Sequence, residues 1–135
     1  MDEYEKHLVY ASSEIGKFPH LFISAKTGRN VIKSLEMINV LNANLDHTAY
    51  TAFLNKIFEG KDPSLVPIPR RKKRPNFLYV VQAGPRPVEF KYFVNDPRNV
   101  LPAHMSFIEN LLRANLPLTG IPIKINIRGT REERK

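Results

Sequence analysis

Two apolar, aromatic and β-branched runs, Phe77 to Ala83 and Val88 to Val94, flank the tetrapeptide Gly84-Pro85-Arg86-Pro87. Runs of that length and composition read as strands, and glycine with two prolines between them is turn chemistry, so this segment predicts a closed strand pair. Asn95-Asp96-Pro97 stops the second strand. Beyond it Phe107, Ile108, Leu111 and Leu112 repeat at helical spacing after Pro102. Gly120-Ile121-Pro122 then leads into an alternating strand carrying Ile121, Ile123, Ile125 and Ile127. Upstream, Thr48 to Glu59 predicts a helix with Tyr50, Phe53, Leu54 and Ile57 inward and Gly60 as its stop. The order is helix, strand, strand, helix, strand, an α+β arrangement with a three-stranded sheet covered by helices. A strict period of two groups Phe77, Tyr79 and Val81 on one sheet face and Leu78 and Val80 on the other.

Nearer the start, Tyr4, Leu8 and Ala11 predict an amphipathic helix over Asp2 to Ser13, ended by Gly16 and Pro19. A short strand, Leu21-Phe22-Ile23, leads into the loop Ser24-Ala25-Lys26-Thr27-Gly28. Asn30 then caps a helix of about four turns whose apolar stripe is Val31, Ile32, Leu35, Ile38, Leu41 and Leu45. Lys61 to Pro75 holds four prolines and the block Arg70-Arg71-Lys72-Lys73-Arg74, and reads as an irregular loop. The tail from Gly129 is polar and expected to fray.

Charge is placed unevenly. Residues 1 to 69 carry seven Lys/Arg against eight Asp/Glu, whereas residues 70 to 135 carry fourteen against five, so the net +8 belongs to the C-terminal half. Such asymmetry is the electrostatic footprint of a surface facing phosphates. The candidate contacts are Arg70, Arg71, Lys72, Lys73, Arg74, Lys91, Arg98, Lys124, Arg128 and Arg131, with Phe77, Tyr79, Phe90, Tyr92 and Phe93 as candidate stacking platforms, about half of which alternation must bury. His104 is expected to be an ordinary helix-start residue, and Glu109 and Asn110 surface or capping groups. No cysteine is present, and His7, His20, His47 and His104 show no ligand spacing, so no metal or thiol chemistry is expected. No apolar run reaches the roughly 18 residues of a membrane span, and the acidic start Asp2-Glu3-Glu5 contradicts a signal peptide, which makes a cytoplasmic setting the expectation.

Two segments resemble parts of one family. The loop Ser24-Ala25-Lys26-Thr27-Gly28 resembles the guanine-contacting loop that closes a Ras-like G domain, where the alanine N–H meets the guanine carbonyl. From Arg71 to Arg128 the chain resembles the C-terminal K-homology-like domain of the Der (EngA-type) double GTPases, bacterial ribosome-assembly factors. The matching positions are Gln82, Phe93-Val94-Asn95-Asp96-Pro97, Glu109-Asn110 with Arg113, and Gly120 with Pro122-Ile123; Leu101-Pro102-Ala103-His104 and Ser106 depart from the family pattern.

The resemblance implies residues 1–45 as the end of a GTPase domain, 46–128 as a K-homology-like domain and 129–135 as a tail. It implies GTP and magnesium as cofactors of a longer parent, with Ser24, Ala25 and Lys26 as a remnant of its guanine site that is not competent alone. No G-x-x-x-x-G-K-[ST] phosphate loop occurs in the chain, and Asn55-Lys56 is followed by Ile57-Phe58 rather than supplying the guanine-reading aspartate, so no GTPase activity and no cofactor are expected of the chain itself. The six glycines never fall three apart, which excludes the Gly-x-x-Gly clamp of ordinary K-homology domains. The implied role is binding of ribosomal RNA or the large ribosomal subunit through a basic surface. The alternative is intramolecular docking against the parent's GTPase domains, with an apolar or mixed sheet face favouring docking and a face dominated by Lys91, Lys124 and Arg128 favouring RNA. Separated from its sheet, the stripe on the helix after Asn30 is expected to drive self-association.

Overall fold

The computed structural model describes residues 18–70 and 72–130, with Glu3, Lys6, His7 and Tyr10, which are helical. The rest of the helix expected over Asp2 to Ser13, together with Arg71 and Arg131, lies outside the described residues. The elements are α1 (Val31–Leu45), α2 (Thr51–Phe58), a 3-10 turn (Pro63–Leu65), β1 (Phe77–Pro85), β2 (Val88–Val94), a second 3-10 turn (Pro97–Asn99), α3 (Pro102–Asn115) and β3 (Ile123–Gly129). The expected α+β order is the observed one.

The sheet runs β1-β2-β3, with β2 antiparallel to β1 and parallel to β3. A parallel pair needs a crossover, and α3 supplies it. Val88, Phe90, Tyr92 and Val94 alternate down β2 on the face turned to the helices. They join Leu54 and Ile57 of α2, Ile108, Leu111 and Leu112 of α3, and Leu116, Leu118 and Ile121 of the connection to β3 in one buried core. Phe58 and Phe77 meet the Tyr92 ring edge-on at 5.0 and 5.9 Å between centroids. Apolar burial at about 25 cal/mol per Å² is what holds this layer together.

Several expectations are corrected by tertiary context. Tyr50 and Phe53 lie exposed rather than inward, and only Leu54 and Ile57 of the expected four are buried, because α2 is a short helix touching the sheet along one narrow stripe. Leu21 to Ile23 form no strand, since among the described residues they have no neighbouring strand to pair with, and the bridge Ser24–Arg29 closes the turn after them. Asn30 makes no side-chain cap. It sits at φ 60°, and its Nδ2 donates to the Phe22 carbonyl at 2.9 Å. Asp62 caps the Pro63–Leu65 turn inside the stretch expected to be irregular. Gly129 is buried as the last residue of β3 rather than opening a frayed tail, and the Thr130 N–H still donates to the Val94 carbonyl.

Polar side chains finish the fold's edges. The outer edge of β1 is covered by Asn55, whose Oδ1 accepts from Val80 N–H at 3.0 Å while its Nδ2 donates to the Val80 carbonyl at 3.2 Å, as a neighbouring strand would. Gln82 does the same for the loop before α2, accepting from Ala49 N–H and donating to the His47 carbonyl. Arg113, paired with Glu109 at 2.9 Å, donates to the Leu118 and Ile121 carbonyls and pins the α3–β3 connection.

His104 is fully buried and more than an ordinary first-turn residue: its Nδ1 accepts from the Leu101 N–H at 2.9 Å. Burial holds its pKa below the ordinary 6.5. Charging the ring would also turn Nδ1 from acceptor into donor and break the cap. The unfolded chain therefore binds the extra proton more readily, so the contribution of His104 is complete above about pH 6.5 and shrinks as pH falls below it. Urea midpoints measured from neutral to mildly acidic pH are expected to drop in the native chain, and to drop less in His104→Gln.

Candidate nucleic-acid interface

Alternation leaves one sheet face away from the helices, and the strand register orders its residues in rows. Tyr79, Phe93 and Arg128 form one row across β1, β2 and β3. Val81, Lys91 and Asn126 form the next, and Glu89 with Lys124 the third. This face corrects the strict period of two on β1. A bulge between Phe77 and Tyr79 inserts Leu78, so Phe77 turns inward with Val80, while Tyr79 and Val81 turn outward.

The aromatic candidates divide accordingly. Phe77, Phe90 and Tyr92 belong to the core side, and burial pushes the Tyr92 hydroxyl far above its usual pKa. Tyr79 and Phe93 stack on the open face at 4.3 Å with planes 15° apart; Phe93 is 5% exposed beneath its neighbour and Tyr79 39% exposed.

Topology then gathers charges that are far apart in sequence. Because β1 runs opposite to β2 and β3, the start of β1 and the ends of the other two strands share one end of the sheet. Lys72, Lys73 and Arg74 precede β1, Arg98 follows β2, and Arg128 closes β3. A cleft of about 390 Å³ opens there, lined by Lys73, Arg74, Asn95, Asp96, Pro97, Arg98, Asn99 and Gly129. Asn95 ties the two sides by accepting from Asn76 N–H at 2.8 Å and donating its own N–H to the Asn76 carbonyl.

Not every cation is equally available. Arg98 is highly exposed but forks onto Asp96, which holds that carboxyl below the usual carboxylate range. Lys124 faces Glu89 across the ladder, and Glu89 also accepts from Asn126. Among the described residues, Lys91 and Arg128 have no carboxylate partner. Arg70 is exposed and does not line the cleft. Ser24, Ala25 and Lys26 sit elsewhere, in a surface turn held by Ser24 N–H to the Arg29 carbonyl at 3.1 Å and Thr27 N–H to Ser24 Oγ at 3.4 Å.

Sequence reasoning passed over Arg86, which bridges the β1–β2 turn to Asp46 at 2.8 Å and to Asn42 at 3.0 Å, and over Asn126 and Glu89. Asn126 could have been found by continuing the alternation that separates Ile123, Ile125 and Ile127 from Lys124, Asn126 and Arg128, and Glu89 by the alternation of Val88, Phe90, Tyr92 and Val94 with Glu89, Lys91 and Phe93. Among the described residues no helix is long and apolar enough to cross a membrane, and no cluster of three potential metal-binding side chains occurs.

Residues 48–128 match the family described as KH-domain-like of EngA bacterial GTPase enzymes, C-terminal. Similar proteins include the GTPase Der of Clostridium botulinum strain Okra, 34% identical over 137 residues that cover 98% of this chain and 30% of that protein. The GTPase Der of Clostridium tetani strain Massachusetts is 32% identical over 136 residues, with the same coverage of each chain. That of Clostridium kluyveri is 33% identical over 136 residues, again covering 98% of this chain and 30% of the relative. The chain thus spans just under a third of the length of the curated relatives it matches.

Proposed function

The chain belongs to the family of KH-domain-like C-terminal regions of EngA bacterial GTPases, and from that premise we propose that it binds ribosomal RNA in large-subunit assembly, through the basic end of its open sheet face. The open face as a whole is mixed, with Tyr79, Val81, Phe93 and Glu89 among Lys91, Lys124 and Arg128, so it is not the cation-dominated face expected for RNA; what supports this reading is the convergence of Lys72, Lys73, Arg74 and Arg128 at one end of the sheet, whose other face is occupied by the core. Phosphate attraction of this kind is strong, sequence-tolerant and salt-dependent. We place nucleotide chemistry, with GTP and magnesium as cofactors, in the remainder of a longer cytoplasmic protein rather than in this chain, whose sequence holds no G-x-x-x-x-G-K-[ST] phosphate loop.

Binding of the 135-residue chain to large-subunit ribosomal RNA across a salt series tests the reading. Affinities on the order of 10⁻⁴ to 10⁻⁶ M at physiological salt, weakening steeply as salt rises, are expected. No binding even at low salt would overturn it.

A second reading rests on a separate observation. Val31, Ile32, Leu35 and Ile38 lie exposed along α1, beside exposed Phe22 and Ile23, while only Leu41 and Leu45 reach the core. We propose that this stripe packs against a GTPase domain of a longer protein, giving the chain a docking role beside the RNA-facing one. On its own the chain is then expected to self-associate. Sedimentation should show mass rising with concentration, and Leu35→Glu with Ile38→Glu should abolish the rise; a concentration-independent monomer contradicts this.

A further inference from the structure

We propose that the open sheet face takes an unpaired RNA nucleotide, its base stacked on Tyr79 and its flanking phosphates held by Lys91 and Arg128; the inference rests on the RNA reading above and specifies its ligand. Tyr79 is 39% exposed although its neighbour Phe93, against which its ring lies at 4.3 Å, is almost completely buried. The ring is therefore already fixed by stacking, and a base arriving on it immobilises little further. Every base presents a π-face, so such a platform is tolerant of sequence.

The register supplies the phosphate partners. Arg128 lies in the same row as Tyr79, two strand spacings away, which is about 10 Å and on the scale of one nucleotide. Lys91 stands in the adjoining row between them. Neither cation has a carboxylate partner among the described residues.

The surroundings set the path of the strand. Glu89 opposes Lys124 at the far end of the face, and Glu59 and Asp62 line the groove beyond β1 where Leu78 and Tyr79 meet α2. The first place offers no net positive charge and the second is acidic, so phosphates are drawn instead toward Arg128, Lys73 and Arg74. A-form duplex keeps its bases stacked inside and cannot present one to a ring on a sheet, so unpaired RNA is the ligand this row fits.

The sequence contains no tryptophan, so Tyr79→Trp gives the full chain a single fluorescent reporter at the platform. The probes are a short oligouridylate and an RNA duplex with the same number of phosphates. Tyr79→Leu, which still covers Phe93, is expected to weaken oligouridylate binding about tenfold with the salt slope unchanged, and Tyr79→Phe to restore it. Duplex binding should be the same in all variants, and the Tyr79→Trp emission should be quenched by oligouridylate alone. If Tyr79→Leu binds oligouridylate as well as the native chain, with salt-sensitive affinity intact, the stacking inference is overturned while the RNA reading stands. If neither probe binds the native chain, both are overturned.

Discussion

Gly120→Ala is expected to destabilise the protein by about 2–4 kcal/mol, from two separable costs. Gly120 lies at φ +73°, where an added Cβ is strained whatever the space around it, and a non-glycine residue there costs about 1 kcal/mol. The space is also taken. A Cβ would lie 2.5 Å from Leu41 Cδ2 and 2.7 Å from Pro19 Cδ. The proline ring cannot rotate away, and Leu41 is seated against the core, so overpacking adds roughly 1–3 kcal/mol. Gly60 provides the control, since it has the same φ of +73° with nothing within 4 Å of the point a Cβ would occupy. Gly60→Ala should cost only the backbone share, about 1 kcal/mol. Equal urea midpoints for the two variants would mean that the segment around Pro19 and α1 is not packed on the α3–β3 connection.

Removing charge from the basic end should have the largest effect on binding. Lys73→Ser, Arg74→Ser and Arg128→Ser together take three exposed cations from around one cleft without touching the core. Each lost phosphate contact flattens the dependence of log affinity on log salt by about 0.7–0.9, so a slope shallower by about 2 to 3 is expected, with at least a tenfold loss at moderate salt. Lys26→Ser, Lys33→Ser and Lys61→Ser lower the net charge equally, from exposed sites on the N-terminal half and the loop after α2. Their loss should be within about threefold. Equal losses from the two triple variants would reduce the basic end to a share of bulk charge.

What could be read in advance, and what could not, follows from the range of the interaction that decides each feature. β2 is legible because Val88, Phe90, Tyr92 and Val94 recur at every second position and its boundaries are set locally, by Pro87 before it and Asn95-Asp96-Pro97 after it. The faces of β1 are not, because the bulge at Leu78 shifts register by one residue and nothing in Phe77-Leu78-Tyr79-Val80 announces it. Tyr50 and Phe53 fit a helical stripe as well as Leu54 and Ile57 do; only the placement of α2 on the sheet separates buried from exposed. Leu21 to Ile23 have strand composition without a strand to pair with. At the candidate interface the individual cations were visible as a charged half, but their gathering depends on β3 lying parallel to β2, a long-range fact. The pairing of Arg98 with Asp96 is local and was within reach, as an aspartate two residues before an arginine in a turn.

The basic end of the open sheet face is the surface proposed to meet RNA. Amide chemical shifts of the 135-residue chain, followed through titration with a large-subunit ribosomal RNA fragment at low salt, measure that directly. Perturbations gathered at Lys72 to Arg74, Tyr79, Lys91, Phe93, Arg98 and Arg128, with α1 and α2 unmoved, are the predicted result. Shifts centred on Val31 to Ile38 of α1, or spread evenly over the molecule, would contradict it.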